Sequence, residues 1–244
     1  MFYLFRIILI AKLAFSLMCP DIIELPEDQQ LNIDELQTVP PNELVDCLSH
    51  LARYEMAIDE AEFIWHSIVQ FFNGIINIPE KVLGELKFVS IAVLPEDYNN
   101  IVMGNVDVIS NFGFHYGLSD EQLDAIAARV WEDFGSKQPE DYTFYDLAAL
   151  RQILCAYNRS DIERIHPKAY KEAAGIIGNL KNCNTNVLRG FGKLAIQEDA
   201  FGSPAFWTNA TVQLVGAVVD YLPDEAGNIL KIRLNDNFWD DANI

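Results

Sequence analysis

Residues 142–165 read YTFYDLAALRQILCAYNRSDIERI. Leu147, Leu150, Ile153 and Leu154 recur three and four residues apart. That is the spacing of one buried helix face and not the alternation of a strand. Thr143 stands where a helix cap belongs, and Ser160 with Glu163 has the form of a capping box before a further helix. Placed under this stretch without gaps, residues 78–101 (IPEKVLGELKFVSIAVLPEDYNNI) and 206–229 (FWTNATVQLVGAVVDYLPDEAGNI) repeat it at an offset of 64. Leu86, Leu150 and Leu214 fall in one column. Val89, Ile153 and Ala217 share the next, then Val93, Tyr157 and Tyr221. An acidic residue follows in each copy (Asp97, Asp161, Glu225), and Ile101, Ile165 and Ile229 close the block. An earlier partial copy is read at residues 36–48, where Val39-Pro40-Pro41 parallels Ile165-His166-Pro167.

Outward from these blocks the chain continues as helices. Pro79 opens one carrying Val82, Leu83, Leu86, Val89 and Val93. Ser119 and Gln122 form a capping box before Leu123, Ile126, Ala127 and Val130. Pro167 suits the first position of a helix bearing Tyr170, Ala173, Ala174 and Ile177. Gly74, Gly117, Gly135 and Gly202 fall where helices end. Asn73-Gly74 lacks flanking alternation, so hairpins are not expected. Units of about 64 residues, each with three or four helices, predict an all-α chain. Each unit would bury its apolar face on its neighbour, giving a right-handed α-solenoid of armadillo-like repeats.

The first residues, MFYLFRIILIAKLAFSLMCP, have a basic residue at Arg6, an apolar run from Ile7 to Phe15 interrupted by Lys12, and small residues at Ala14 and Ser16. This is the layout of a secretory signal peptide cleaved after Ser16. The run is far shorter than the ~20 apolar residues of a membrane span. The expected division is a signal peptide over 1–16, a repeat domain over 17–234 and a polar, acidic tail over 235–244. That tail offers no apolar segment for exchange against a lipid anchor. Half of the 244 residues are hydrophobic, enough for a sizeable core, and the formal charge is −19. Such a surface repels phosphate backbones and anionic lipid, so nucleic-acid and membrane-surface partners are not expected.

Three segments carry a resemblance. They are Ile165-His166-Pro167-Lys168-Ala169-Tyr170, then Asn182-Cys183, then Phe201-Gly202-Ser203-Pro204-Ala205-Phe206-Trp207-Thr208, with an exit at Tyr221-Leu222-Pro223. In this order they resemble the mesothelin, stereocilin and otoancorin family of extracellular helical-repeat glycoproteins, most clearly over residues 94–232. The resemblance implies a superhelix of armadillo-like repeats displayed or secreted outside the cell, a role in adhesion to cells or matrix, and no enzymatic activity. The family's members are typically longer and often end in an anchoring tail, which this chain lacks.

Cys19, Cys47, Cys155 and Cys183 allow three connectivities, and spacing alone does not choose among them. The helix between Cys155 and Cys183 could fold back to join them, and the family resemblance also places cysteines at these two points. A Cys155–Cys183 bridge is therefore expected, worth ~3 kcal/mol by loop-closure entropy. Cys19 would remain in the mature chain, free to meet Cys47. Sequons stand at Asn158-Arg159-Ser160 and Asn209-Ala210-Thr211, and both asparagines are expected to carry glycans once the chain is secreted.

Nothing in the sequence forms a catalytic, metal or cofactor signature. His50, His66, His115 and His166 are scattered, and no H-x-x-x-H or C-x-x-C pair is present. Asp236, Asp240 and Asp241 lack the glycine and terminal glutamate of a calcium loop. Gly190-Phe191-Gly192 falls inside a helix pattern with no phosphate-loop context. Trp131, Phe134, Phe206 and Trp207 read as core between repeats. The expected function is a non-enzymatic protein-binding surface in cell–cell or cell–matrix adhesion, with an extracellular protein or matrix partner and no cofactor. Two alternatives stand beside it. A secreted carrier of an apolar ligand would show a wide pocket lined by Phe71, Phe72, Phe112 and Phe114. A cytosolic armadillo or HEAT-type adaptor would keep its N-terminus and four free thiols.

Overall fold

The computed structural model describes residues 16–26, 29–114, 116–133 and 137–240, with side chains to 233. Residues 1–15 of the expected signal peptide, His115, Phe134, Gly135 and the side chains of the C-terminal tail lie outside the described residues. Among the described residues every regular element is helical and none is a strand. An opening group holds α1 (Cys19–Ile23), α2 (Ile33–Leu36), α3 (Pro41–Asp46) and α4 (Leu48–Leu51). Then follow α5 (Ile58–Phe71), α6 (Glu80–Leu83), α7 (Val106–Gly113), α8 (Asp120–Asp133) and α9 (Phe144–Leu150). The chain ends with α10 (Arg159–Ile162), α11 (Pro167–Ile177), α12 (Thr185–Ala195), α13 (Asn209–Val215) and α14 (Asp224–Asp240).

The order of elements recurs. A long helix (α5, α8, α12) leads to a short 3₁₀ turn (Ile75–Asn77, Pro139–Asp141, Pro204–Phe206). A second helix follows (α6, α9, α13), and then a six-residue 3₁₀ helix (Lys87–Ala92, Arg151–Ala156, Gly216–Tyr221). Packing recurs with it. Each long helix lies on the six-residue 3₁₀ helix of its own cycle, and α8 and α12 also lie on the element that closes the cycle before, Pro95–Asn100 and α10. Local chemistry sets the starts. Ser119 and Gln122 exchange hydrogen bonds (2.9 and 3.2 Å) to open α8, and Asn184 accepts from the Asn186 N–H to open α12.

The apolar stripes predicted as continuous helices over 79–93 and 143–154 are broken in the structure. Lys87 at φ 43° and Arg151 at φ 41° turn the chain, and the remainder is 3₁₀. Helix ends meet closely at the Arg151 break and at its counterpart in the third copy: a Cβ on Gly113, at the end of α7, would meet the Ala149 and Leu150 carbonyls, and one on Gly178, at the end of α11, would stand 2.6 Å from the Val215 carbonyl oxygen.

The third copy is out of step with the ungapped alignment. Leu86 and Leu150 are buried, as are Val89 with Ile153 and Val93 with Tyr157, but Leu214 and Ala217 are exposed. Val215, Val218 and Leu222 take the core positions instead, at an offset of 65. The same offset relates Val108, Ile109 and Phe112 to Ala173, Ala174 and Ile177, whereas Ile101 and Ile165 keep 64. One extra residue therefore lies between Ile165 and Ala173, where α11 begins at Pro167 and so takes up the added length. The helix α10 also starts one residue before Ser160: Asn158 is its cap residue, and Glu163 binds Arg159 and Lys193 instead of completing a box. Of the aromatic residues read as core, Trp207 is 1% exposed and Trp131 half-buried, but Phe206 is 84% exposed.

Candidate binding groove

Lys87 and Arg151 occupy the same place in successive cycles, and the third copy has Gly216 there. Arg151 has φ 41° and ψ −113°, and Gly216 has φ 59° and ψ −134°. Glycine reaches this region freely. A residue with a Cβ is held in it at a cost of about 1–3 kcal/mol, and such residues concentrate at binding and active sites. Both cations face one surface. Lys87 lines a cleft of about 960 Å³ with Arg53, Phe88, Asn111, Phe114 and Tyr116. Arg151 lines an adjoining cleft of about 330 Å³ with Gly113, Asn179 and Leu180, and Phe114 belongs to both.

The groove wall is aromatic. Phe88 meets Tyr116 edge-on at 4.9 Å, Tyr116 meets Phe114 at 5.8 Å, and the Arg151 guanidinium lies 3.9 Å over the Phe114 ring. Burial pushes the Tyr116 hydroxyl up to about 12, against the pull of Arg151. Arg151 Nε donates to the Ala148 carbonyl (2.6 Å) and Lys87 Nζ to the Ser49 carbonyl (2.9 Å). Among the described residues neither cation has a carboxylate within ion-pair distance, and nor does Arg53, whereas Arg129, Arg159, Arg164 and Lys193 are all paired. Glu80, Glu85 and Asp107 stand on the rim, so the groove is amphoteric within a strongly acidic chain. Burial, with the Arg53 and Lys87 charges behind it, holds the neighbouring His50 below the usual histidine range.

The groove floor is fixed from below. Asn111, 4% exposed, accepts the Lys87 backbone N–H on Oδ1 (2.7 Å) and donates to Ser90 Oγ (3.2 Å). Sequence reasoning did not single out this groove. The signal available was a basic residue in one column of two copies, 87 and 151, which the hydrophobic columns on either side obscured.

The structure joins Cys155 to Cys183, Cα to Cα 4.7 Å apart, next to Gln152, which also lines the Arg151 cleft. Gln152 braces the bridge. Its side chain accepts the Lys181 N–H (3.2 Å), donates to the Lys181 carbonyl and lies 3.2 Å from Cys155 Sγ. Asn158 is exposed at the cap of α10, and Asn209 is exposed at the first residue of α13. Cys19 and Cys47 are buried thiols.

The remaining residues named from sequence are dispersed. Phe112 is fully buried against Tyr98, Phe71 and Phe72 pack on each other, and Phe114 lines the groove, so these four phenylalanines do not share one cavity. His66 is an exposed helix residue, and His166 accepts the Lys168 N–H at the start of α11. Among the described residues no three His, Cys, Asp or Glu side chains converge as a metal site, and no helix is long and apolar enough to cross a membrane. Compared with models of protein families and with characterised proteins, the chain matches none.

Proposed function

We propose that this chain is a secreted, non-enzymatic helical-repeat glycoprotein that binds an extracellular protein or matrix partner along the groove of Lys87, Phe114 and Arg151. In this reading residues 1–16 are a cleaved leader, residues 17–234 are a right-handed α-solenoid of the mesothelin-like kind, and Asn158 and Asn209 carry glycans. The observation that carries it is the pair Lys87 and Arg151. Two cations in successive cycles take positive φ where the third copy has glycine, and they line two adjoining clefts that share the Phe114 ring. Side chains held at such a cost and left without ion-pair partners suit a ligand that supplies the missing carboxylates. The Cys155–Cys183 bridge and the exposure of both sequon asparagines support an oxidising compartment. The charge of −19 speaks against nucleic acid as the partner.

The test expresses the full chain, with its own N-terminus, in secretory cells. The expected product is recovered from the medium, begins near Leu17 and carries glycan on Asn158 or Asn209. Beads coated with it adhere to cells or matrix, and the Lys87→Glu/Arg151→Glu variant, with an unchanged circular dichroism spectrum, loses most of that adhesion. An intracellular product that keeps Met1 and lacks glycan would overturn secretion and favour the adaptor. Adhesion untouched by the double variant would overturn the groove.

A further inference from the structure

We infer that Cys19 and Cys47 are the site of a second disulfide, which ties α1 to the junction of α3 and α4. Both side chains are buried, 8% and 1% exposed. Cys47 Sγ lies 3.5 Å from the Cys19 carbonyl oxygen, and the Cys19 N–H donates to Glu43 Oε2 (2.9 Å), one helical turn before Cys47. The helix α1 packs on both α3 and α4, so the backbones that carry the two thiols are already docked. Every other cysteine of the chain is spent, because Cys155 and Cys183 hold each other. The helices joined in this way, α1, α3 and α4, are each four to six residues long, too short to hold themselves without ties to neighbours.

The chemistry is thiol–disulfide exchange with an oxidised partner, a glutathione disulfide or a protein disulfide of the same class. One cysteine thiolate attacks that disulfide, forms a mixed disulfide and releases one thiolate. The second cysteine then attacks its sulfur and releases the other. Two thiols lose two protons and two electrons, and the oxidant is reduced to two thiols. Burial, the hydrogen bond to Cys19 and the neighbouring Glu43 and Asp46 push the Cys47 thiol up to about 12. Both thiols are buried in the folded chain, so an oxidant reaches them most readily while the chain folds.

The test refolds the full chain from denaturant in a mixture of reduced and oxidised glutathione, then alkylates it unfolded and maps it after cleavage at glutamates. Trypsin would leave both cysteines in one peptide, because no Lys or Arg lies between them. A linked pair holding Cys19 and Cys47, beside the Cys155–Cys183 pair, is the expected result. Native reduced protein given the same mixture without unfolding should leave both thiols alkylatable. A refolded chain with the native circular dichroism spectrum and alkyl groups on both Cys19 and Cys47, or with either linked elsewhere, would overturn the proposal. The Cys19→Ser/Cys47→Ser variant guards against a folding artefact. It should reach the same spectrum and a melting temperature that oxidising conditions raise less than in the parent. An equal rise in both counts against the bond. Because the oxidant is supplied, the result does not depend on whether the chain is secreted.

Discussion

Gln152 holds Lys181 by both ends of its amide, donating Nε2–H to the Lys181 carbonyl and accepting the Lys181 N–H on Oε1, so that one buried side chain does what a strand partner would do for the segment leading to Cys183. Removing it leaves a backbone donor and an acceptor of a part-buried segment to water, and losing a hydrogen bond there costs about 1 kcal/mol each. In a chain of this size each kcal/mol moves the melting temperature by roughly 2–4 °C. Gln152→Met, of similar volume without the amide, should lower the melting temperature by several degrees. It should also speed reduction of the Cys155–Cys183 bridge by dithiothreitol, followed by alkylation and mass. A Gln152→Met protein that melts like the parent would show that the two bonds contribute nothing net.

The helical class and the starts at Ser119, Thr143 and Pro167 were legible because each leaves a local trace, three-and-four spacing or a cap, whereas the Cys155–Cys183 pairing was expected with the resemblance and not chosen by spacing. Tertiary crowding was not legible. Leu86, Val89 and Val93 have helical spacing although the chain is 3₁₀ beyond Lys87, because a buried face needs only the spacing and not the hydrogen-bond pattern. The third copy misled for the opposite reason. Leu214 and Val215 are adjacent and both apolar, so a one-residue slip leaves a plausible column, and only burial tells them apart. The groove was missed because its cations are held by backbone conformation, which a residue name other than glycine conceals.

Gly178 and Gly175 sit three residues apart in and just after α11, and alanine should separate them. At Gly178 the new methyl would meet the Val215 carbonyl oxygen at 2.6 Å, backbone against backbone, with no rotamer to yield. At Gly175 it would meet only Leu214 Cδ1 at 3.1 Å, the end of an exposed side chain that can swing aside. Overpacking of the first kind costs typically about 1–3 kcal/mol. Glycine-to-alanine change inside a helix gains about 0.5–1 kcal/mol. Gly178→Ala should therefore lower the urea midpoint clearly, and Gly175→Ala should leave it level or raise it.

Arg151→Gly and Arg151→Ala both lose the guanidinium over Phe114, but only glycine relieves the backbone at φ 41°, ψ −113°. The relief of about 1–3 kcal/mol exceeds the 0.4–1 kcal/mol by which glycine favours the unfolded chain. The glycine variant should be the more stable of the two, by about 1 kcal/mol in urea unfolding. Equal stabilities would mean that Arg151 is unstrained, which would remove the main support for the groove.

Asp146 supplies the pH dependence. Its burial raises the carboxyl pKa, but the hydrogen bonds from Lys137 (2.6 and 2.7 Å) and from the Thr143 hydroxyl and N–H (both 2.7 Å) outweigh burial and hold it below the usual aspartate range. A folded pKa below the unfolded one means that the unfolded chain binds the proton first. The stabilisation is complete above the unfolded value, near 4, and is lost as pH falls through the folded value. Glu163, held down first by Lys193 and then by Arg159 against its burial, acts in the same sense from a more open position. The urea midpoint should thus be flat near neutrality and drop as pH falls below about 4. Asp146→Asn keeps the side chain's size but removes the charge. It should be less stable than the parent at pH 7 and lose less between pH 5 and pH 3, and the two curves should converge at the acid end. Parallel curves would show that Asp146 is not among the groups whose protonation unfolds the chain.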